Sequence, residues 1–118
     1  MNMIPSGFSF VVKRSEWHRG KSSVGSRLLR WDGKKCCVGF CMMALGFDPK
    51  ELKMVPCAGS IENPVAQELE HKILGSELMP TQPHIYGTND NEHLSDSERE
   101  DLLTQKFAAI GIAVTFID

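Results

Sequence analysis

Residues 36–45 are apolar almost all round, and no other segment restricts the fold as strongly. Cys36, Cys37, Phe40, Cys41, Met43 and Ala44 recur at spacings of three and four, the period of a helix. A helix apolar on every side has to be buried, so this segment predicts the central core helix, with Gly46 as its stop. The apolar run to residue 47 is too short to span a bilayer. A chain of 118 residues has room for one such core. A single domain over residues 1–118 is therefore expected. With 42% hydrophobic and 24% charged residues, the composition excludes a wholly disordered or collagen-like chain.

The other elements follow from local signals. Residues 8–12, Phe-Ser-Phe-Val-Val, read as a strand. Residues 18–26 read as a Gly/Ser/Lys-rich loop. Asp32-Gly33 is a turn signal that can pair residues 27–31 with 35–38 as a hairpin, unless the helix begins near Lys35. Asp48-Pro49 suits the cap and first position of a short helix running to Met54. Asn63-Pro64 opens another, over residues 65–74, closed by Gly75. Residues 76–93 form a long connection with a short strand at 84–86. Ser95, Asp96, Ser97 and Glu98 make a capping box, and acidic residues fill the first turns of the helix behind it. That helix ends at Gly111, and residues 112–117 alternate as a final strand. The expected fold class is α+β, a small and mainly antiparallel sheet backed by about three helices.

Charge is split along the chain. Residues 1–59 sum to +6 and residues 60–118 to −8, which gives the net −2. The split predicts either a basic face and an acidic face able to steer partners, or two halves that pack together and cancel. The acidic candidates are Asp90, Glu92, Asp96, Glu98, Glu100 and Asp101. An acidic face of this kind can imitate nucleic acid and occupy the basic groove of a protein. The basic candidates are Arg14, Trp17, Arg19, Lys21, Ser22, Ser23 and Arg27, with Tyr86 from the long connection. Hydroxyls, cations and backbone amides of this loop suit a phosphorylated nucleotide, and Trp17 or Trp31 can stack a ring. The net charge argues against nucleic acid itself as a partner.

Several chemistries fail on spacing. Residues 15–22 end like a phosphate-binding loop, yet Ser15 stands where that motif needs glycine. Residues 89–95 offer no register that satisfies a calcium loop. Cys36, Cys37, Cys41 and Cys57 lack the paired knuckles of a zinc site, so no metal and no cofactor is expected, and the thiols read as small buried hydrophobes. Disulfides are not expected either. No hydrolase or metalloprotease motif is present. Only a dyad of Cys57 with His84 or His93 keeps an enzyme in view, and the balance of the sequence is against one. Residues 1–6 lack the basic flank and apolar core of a signal peptide, so a soluble protein without a membrane span is expected.

Three segments together resemble a known group. They are Asp-Gly-Lys-Lys-Cys-Cys-Val-Gly-Phe at 32–40, Asn-Asp-Asn-Glu-His-Leu-Ser-Asp-Ser-Glu-Arg-Glu at 89–100, and Gly-Ile-Ala-Val-Thr-Phe-Ile-Asp at 111–118. Their order is similar to that in a family of small, largely uncharacterised accessory proteins of tailed bacteriophages and prophages. The resemblance spans roughly residues 14–118 and carries no functional residues with it. It implies a protein made in the bacterial host cytoplasm that counters a host defence system by stoichiometric binding. The expected partner is a host defence protein, met through the acidic face. The alternative is a sponge for a nucleotide immune messenger, held by the basic loop between subunits of a homo-oligomer. A nucleic-acid-binding regulator is the third reading.

Overall fold

A computed structural model describes residues 4–21, 27–75 and 84–118. The first strand, β1, spans Ser9–Lys13 and alternates exposed and buried side chains. A 3-10 turn at Arg14–Glu16 leads to Trp17 and His18, which are buried. The apolar helix α1 runs Cys37–Ala44, and its first six residues are buried. It packs close to the preceding segment, because a Cβ at Gly39 would collide with the carbonyl oxygen of Leu28. Gly46, at φ +101°, ends the turn that follows.

Helix α2, Pro49–Leu52, carries the expected Asp48 cap and adds a full capping box with Glu51. It stops at Leu52, two residues short of Met54. Helix α3, Pro64–Leu74, is capped by Asn63, whose Oδ1 accepts from the amides of Val65 and Ala66. Helix α4 spans Ile85–Asp90 and α5 spans Asp96–Ala109. The capping box of α5 is complete: Ser95 Oγ accepts from the Glu98 amide at 3.1 Å and Glu98 accepts from the Ser95 amide at 3.0 Å. Strand β2, Ala113–Ile117, closes the chain. The α+β class holds, and no helix among the described residues is long and apolar enough to cross a membrane.

The sheet corrects the sequence reading. It has two strands and they are parallel, with Ser9 opposite Ala113 through to Lys13 opposite Ile117. Side-chain alternation reports that a segment is a strand, but it says nothing of direction. Here direction is set by α5, which packs on β2 and reverses into it through Gly111 at φ +83°. The hairpin at Asp32-Gly33 keeps its turn but not its ladder. Leu29 bridges to Lys53 and Lys35 to Trp17, so each flank takes a distant partner. Five α-helices are described, where about three were expected. The one with no counterpart in the sequence reading, α4, replaces the short strand at 84–86. Its buried residues Ile85, Thr88 and Asn89 fall at helical spacing, and His84 Nδ1 caps it by accepting from the Gly87 amide.

One face of the sheet and the helices enclose a single core. Phe10 meets Phe107 of α5 edge-on at 5.0 Å, and Trp17 meets Phe116 of β2 at 4.9 Å. Inside this core lies Asn89, 1% exposed. Its Oδ1 accepts from Trp17 Nε1 at 2.8 Å and from the Cys37 amide at 3.1 Å. Its Nδ2 donates to the His18 carbonyl at 3.0 Å and to Asp90 Oδ1 at 2.9 Å. Replacing Asn89 by alanine strands two buried N–H donors and opens a cavity. The expected loss is about 3–5 kcal/mol of stability, read as a lower urea midpoint. A midpoint within error of the parent would show that Asn89 does not hold these segments together.

Candidate functional site

The basic N-terminal segment and the acidic helix α5 meet through two arginines, Arg14 and Arg19. Arg14 forks onto Glu100, with Nε and Nη2 each 2.8 Å from a carboxylate oxygen, while Nη1 reaches Asp118 at 2.9 Å. Arg19 forks onto Asp96 at 3.1 Å through Nε and Nη2. Its Nη1 donates to the carbonyls of Arg14 and Trp17, and its guanidinium lies 4.5 Å from the Trp17 ring centroid. From within α5, Arg99 is 3% exposed. It donates to Asp96 at 2.7 Å and to the carbonyls of Asn91 and Leu94 at 2.6 and 2.9 Å. That grip fixes the segment leading into the helix. Gly20, at φ +67°, lets the chain pass over this guanidinium, since a Cβ there would stand 2.9 Å from Arg99 Nη2.

These contacts sort the acidic candidates. Asp96 and Glu100 are committed to arginines, and Asp90 accepts from Asn89. Glu98 serves the capping box with its side chain at the surface, and Glu92 and Asp101 are exposed. Hydrogen bonding with Arg19 holds the Asp96 carboxyl below its ordinary range, and the Ser95 amide does the same for Glu98. Glu100, with Asp118, pushes the Arg14 guanidinium further upward, so it stays charged.

Among the described nucleotide candidates, Arg14, Trp17 and Arg19 come together but are engaged with the protein. Trp17 is buried, with Phe116 and Arg19 against its ring and Asn89 on its nitrogen, so no face is left for a base. Arg14 and Arg19 are paired as described. The Tyr86 hydroxyl donates to Glu70 at 2.6 Å and accepts from the Ala58 amide at 3.0 Å. Lys21 is exposed and Arg27 half-buried. Ser22 and Ser23 lie outside the described residues.

Tyr86 lines a cavity of about 220 Å³ with Cys36, Pro56, Cys57, Asn89 and Asp90. Cys57 is the one half-buried thiol and sits 3.4 Å from Ser60 Oγ. Of the two histidines expected as its partner, His84 caps α4 with Nδ1 and packs edge-on against Tyr86 of this cavity, and His93 is exposed in the segment before α5. Burial pushes the thiols of Cys36 and Cys41 up to about 12 and that of Cys37 upward as well, so these three stay protonated at neutral pH. Among the described residues, no three metal-ligating side chains are grouped to hold an ion.

Two residues at the centre of this arrangement were not singled out in the sequence. Asn89 lay inside a turn-like Asn-Asp-Asn run, and Arg99 inside an acidic tract. Their only local signals are the helical spacing of 85, 88 and 89, and the lone cation among four acids. Family models, curated proteins and solved structures were compared with the chain, and none matches.

The shifts fix how stability should follow pH. His18 is held below its ordinary value, first by burial and then by Arg30. The unfolded chain therefore binds this proton more readily. The stabilisation is complete above about pH 6.5 and is lost as pH falls below it. Asp96, Glu98 and Glu16, whose folded pKa values are also depressed, keep their contribution above about pH 4.5 and lose it below. The urea midpoint should decline in two stages on acidification, and His18→Gln should remove the first. A midpoint constant from pH 7 to pH 3 would refute the assignment.

Proposed function

We propose that this chain is a bacteriophage accessory protein that binds a host defence protein stoichiometrically in the bacterial cytoplasm. The acidic face around the N-terminal half of α5 is its recognition surface, standing in for nucleic acid. One observation supports this reading above the rest. The arginines near α5 neutralise its inner and flanking carboxylates, so Glu92, Glu98 and Asp101 remain at the surface without an arginine partner among the described residues. Around this half-helix the carboxylates of Asp90, Glu92, Asp96, Glu98, Glu100, Asp101 and Asp118 outnumber the guanidiniums of Arg14, Arg19 and Arg99. Their anchoring also favours binding, since a surface already ordered loses little entropy on association.

The same contacts decide the test. Reversing Glu100 would break the Arg14 fork and report on folding. Glu98→Gln keeps a side chain that can complete the capping box while removing its charge. The triple variant Glu92→Lys, Glu98→Gln and Asp101→Lys should keep the parental urea midpoint within about 1 kcal/mol. It should also lose the one host protein that copurifies with the parent at fixed stoichiometry. Retention of that protein by the folded variant would exclude the acidic face. Native mass spectrometry of the parent separates the other reading: an intact small ligand released by heat would replace this proposal with the nucleotide sponge.

A further inference from the structure

The two tryptophans that flank the basic stretch have opposite fates. Trp17 is 3% exposed and covered, whereas Trp31 is 73% exposed. The turn that carries Trp31 is closed by backbone and side-chain hydrogen bonds. The Gly33 amide donates to the Arg30 carbonyl at 3.0 Å and the Arg30 amide to the Lys34 carbonyl at 2.8 Å. Asp32 Oδ1 accepts from the Lys34 amide at 3.1 Å, and Gly33 takes φ +89°. The indole is therefore held out in water by a hydrogen-bonded support.

Two residues upstream, Leu29 bridges to Lys53 and accepts from the Met54 amide at 2.7 Å. This places the end of α2 beside the turn. Met54 is 47% exposed and adopts φ +61°, a left-handed backbone that side-chain-bearing residues seldom take. Three lysines belong to the same neighbourhood. Lys34 lies across the turn from Arg30, Lys53 opposite Leu29, and Lys50 one helical turn before Lys53. All three are exposed and make no ion pair among the described residues. The acids of this neighbourhood are engaged locally: Asp32 pairs with Arg30 at 3.5 Å, the Asp48 carboxylate accepts from the Lys50 amide at 2.9 Å, and the Glu51 carboxylate accepts from the Asp48 amide at 3.0 Å.

We propose that the Trp31 turn and the adjoining end of α2 bind single-stranded nucleic acid. The Trp31 ring stacks on a base, and Lys34, Lys50 and Lys53 meet the phosphates. The lysines favour this partner over a protein, because lysine is depleted at protein interfaces whereas phosphate recognition uses it. A lone aromatic ring standing clear of other apolar groups presents a π-face to a base. The net charge of −2 counts against nucleic acid over the chain as a whole, but at this site Arg30, Lys34, Lys50 and Lys53 outnumber Asp32, Asp48 and Glu51. This site is independent of the acidic face.

The probe is a fluorescein-labelled twenty-nucleotide oligo-dT, titrated with the full chain at low salt and followed by fluorescence anisotropy, a readout that the tryptophan variants leave intact. A rise in anisotropy is expected, with a log–log salt slope near −2, from three phosphates at roughly −0.7 each. Trp31→Ala should weaken binding roughly 5- to 150-fold, and Trp31→Phe should restore most of it. Because Trp31 packs so little surface, the alanine variant should unfold at the parental urea concentration. Three results would overturn the proposal: no binding at low salt, equal binding by Trp31→Ala, or equal affinity for a duplex. Loss of a copurifying host protein in Trp31→Ala, with no oligonucleotide binding by the parent, would assign the turn to a protein partner instead.

Discussion

The side chain of Asn89 is the contact on which the other segments depend. Helix α1 is apolar, so its first amides begin in the core and need an acceptor there. The Cys36 side chain supplies no such cap, and Asn89 Oδ1 takes the Cys37 amide. The same oxygen takes Trp17 Nε1, and the Nδ2 group holds the His18 carbonyl. The Asn89 main-chain carbonyl accepts from Gly20 at 2.9 Å. One residue of the short helix α4 thus fixes the start of α1 and the chain that leaves β1. Each of these groups would be costly if left unpaired away from water, which makes the amide's two-sided chemistry indispensable.

The electrostatic contacts are built on that arrangement. Once Trp17 is fixed, its indole supports Arg19 on one side and packs against Phe116 on the other. Arg19 then reaches Asp96 at the start of α5, and Arg14 reaches Glu100 one turn further along. The basic and acidic halves of the chain are joined by short, forked contacts. Exposed ion pairs contribute about 0–1 kcal/mol each, so these specify the position of α5 more than they stabilise the fold.

Legibility followed locality. The caps of α2 and α5, the burial of α1 and both strands were readable because each signal lies within a few residues. Asn89 was not, because its partners Trp17 and His18 lie 72 and 71 residues away. Nor was the parallel sheet, whose pairing joins opposite ends of the chain. Helix α4 was misread because His-Ile-Tyr favours a strand locally, while burial of Ile85, Thr88 and Asn89 chose the helix. Trp17 and Trp31 look alike in sequence, and only distant contacts with Asn89 and Phe116 separate the core ring from the exposed one. The sequence placed Asp96, Glu98, Glu100 and Asp101 on one helix but could not distinguish carboxylates that bind arginine from those that face water.

That distinction follows from the chemistry of the cations. Arg14, Arg19 and Arg99 are drawn into the α5 contacts, where a planar fork can satisfy a carboxylate or several carbonyls at once. Arg30 pairs with Asp32 in its turn. Lys34, Lys50 and Lys53 remain at the surface, and a compact ammonium on a flexible stem loses the least by staying hydrated there. Lys35 differs: it is buried, and its ammonium lies 4.7 Å from the Phe40 ring centroid and donates to Glu16 and the Gly33 carbonyl. The charge split in the sequence therefore does not become one basic face opposite one acidic face. Arg14, Arg19, Arg30 and Arg99 serve the fold, while carboxylates of α5 and lysines beside Trp31 stay in water.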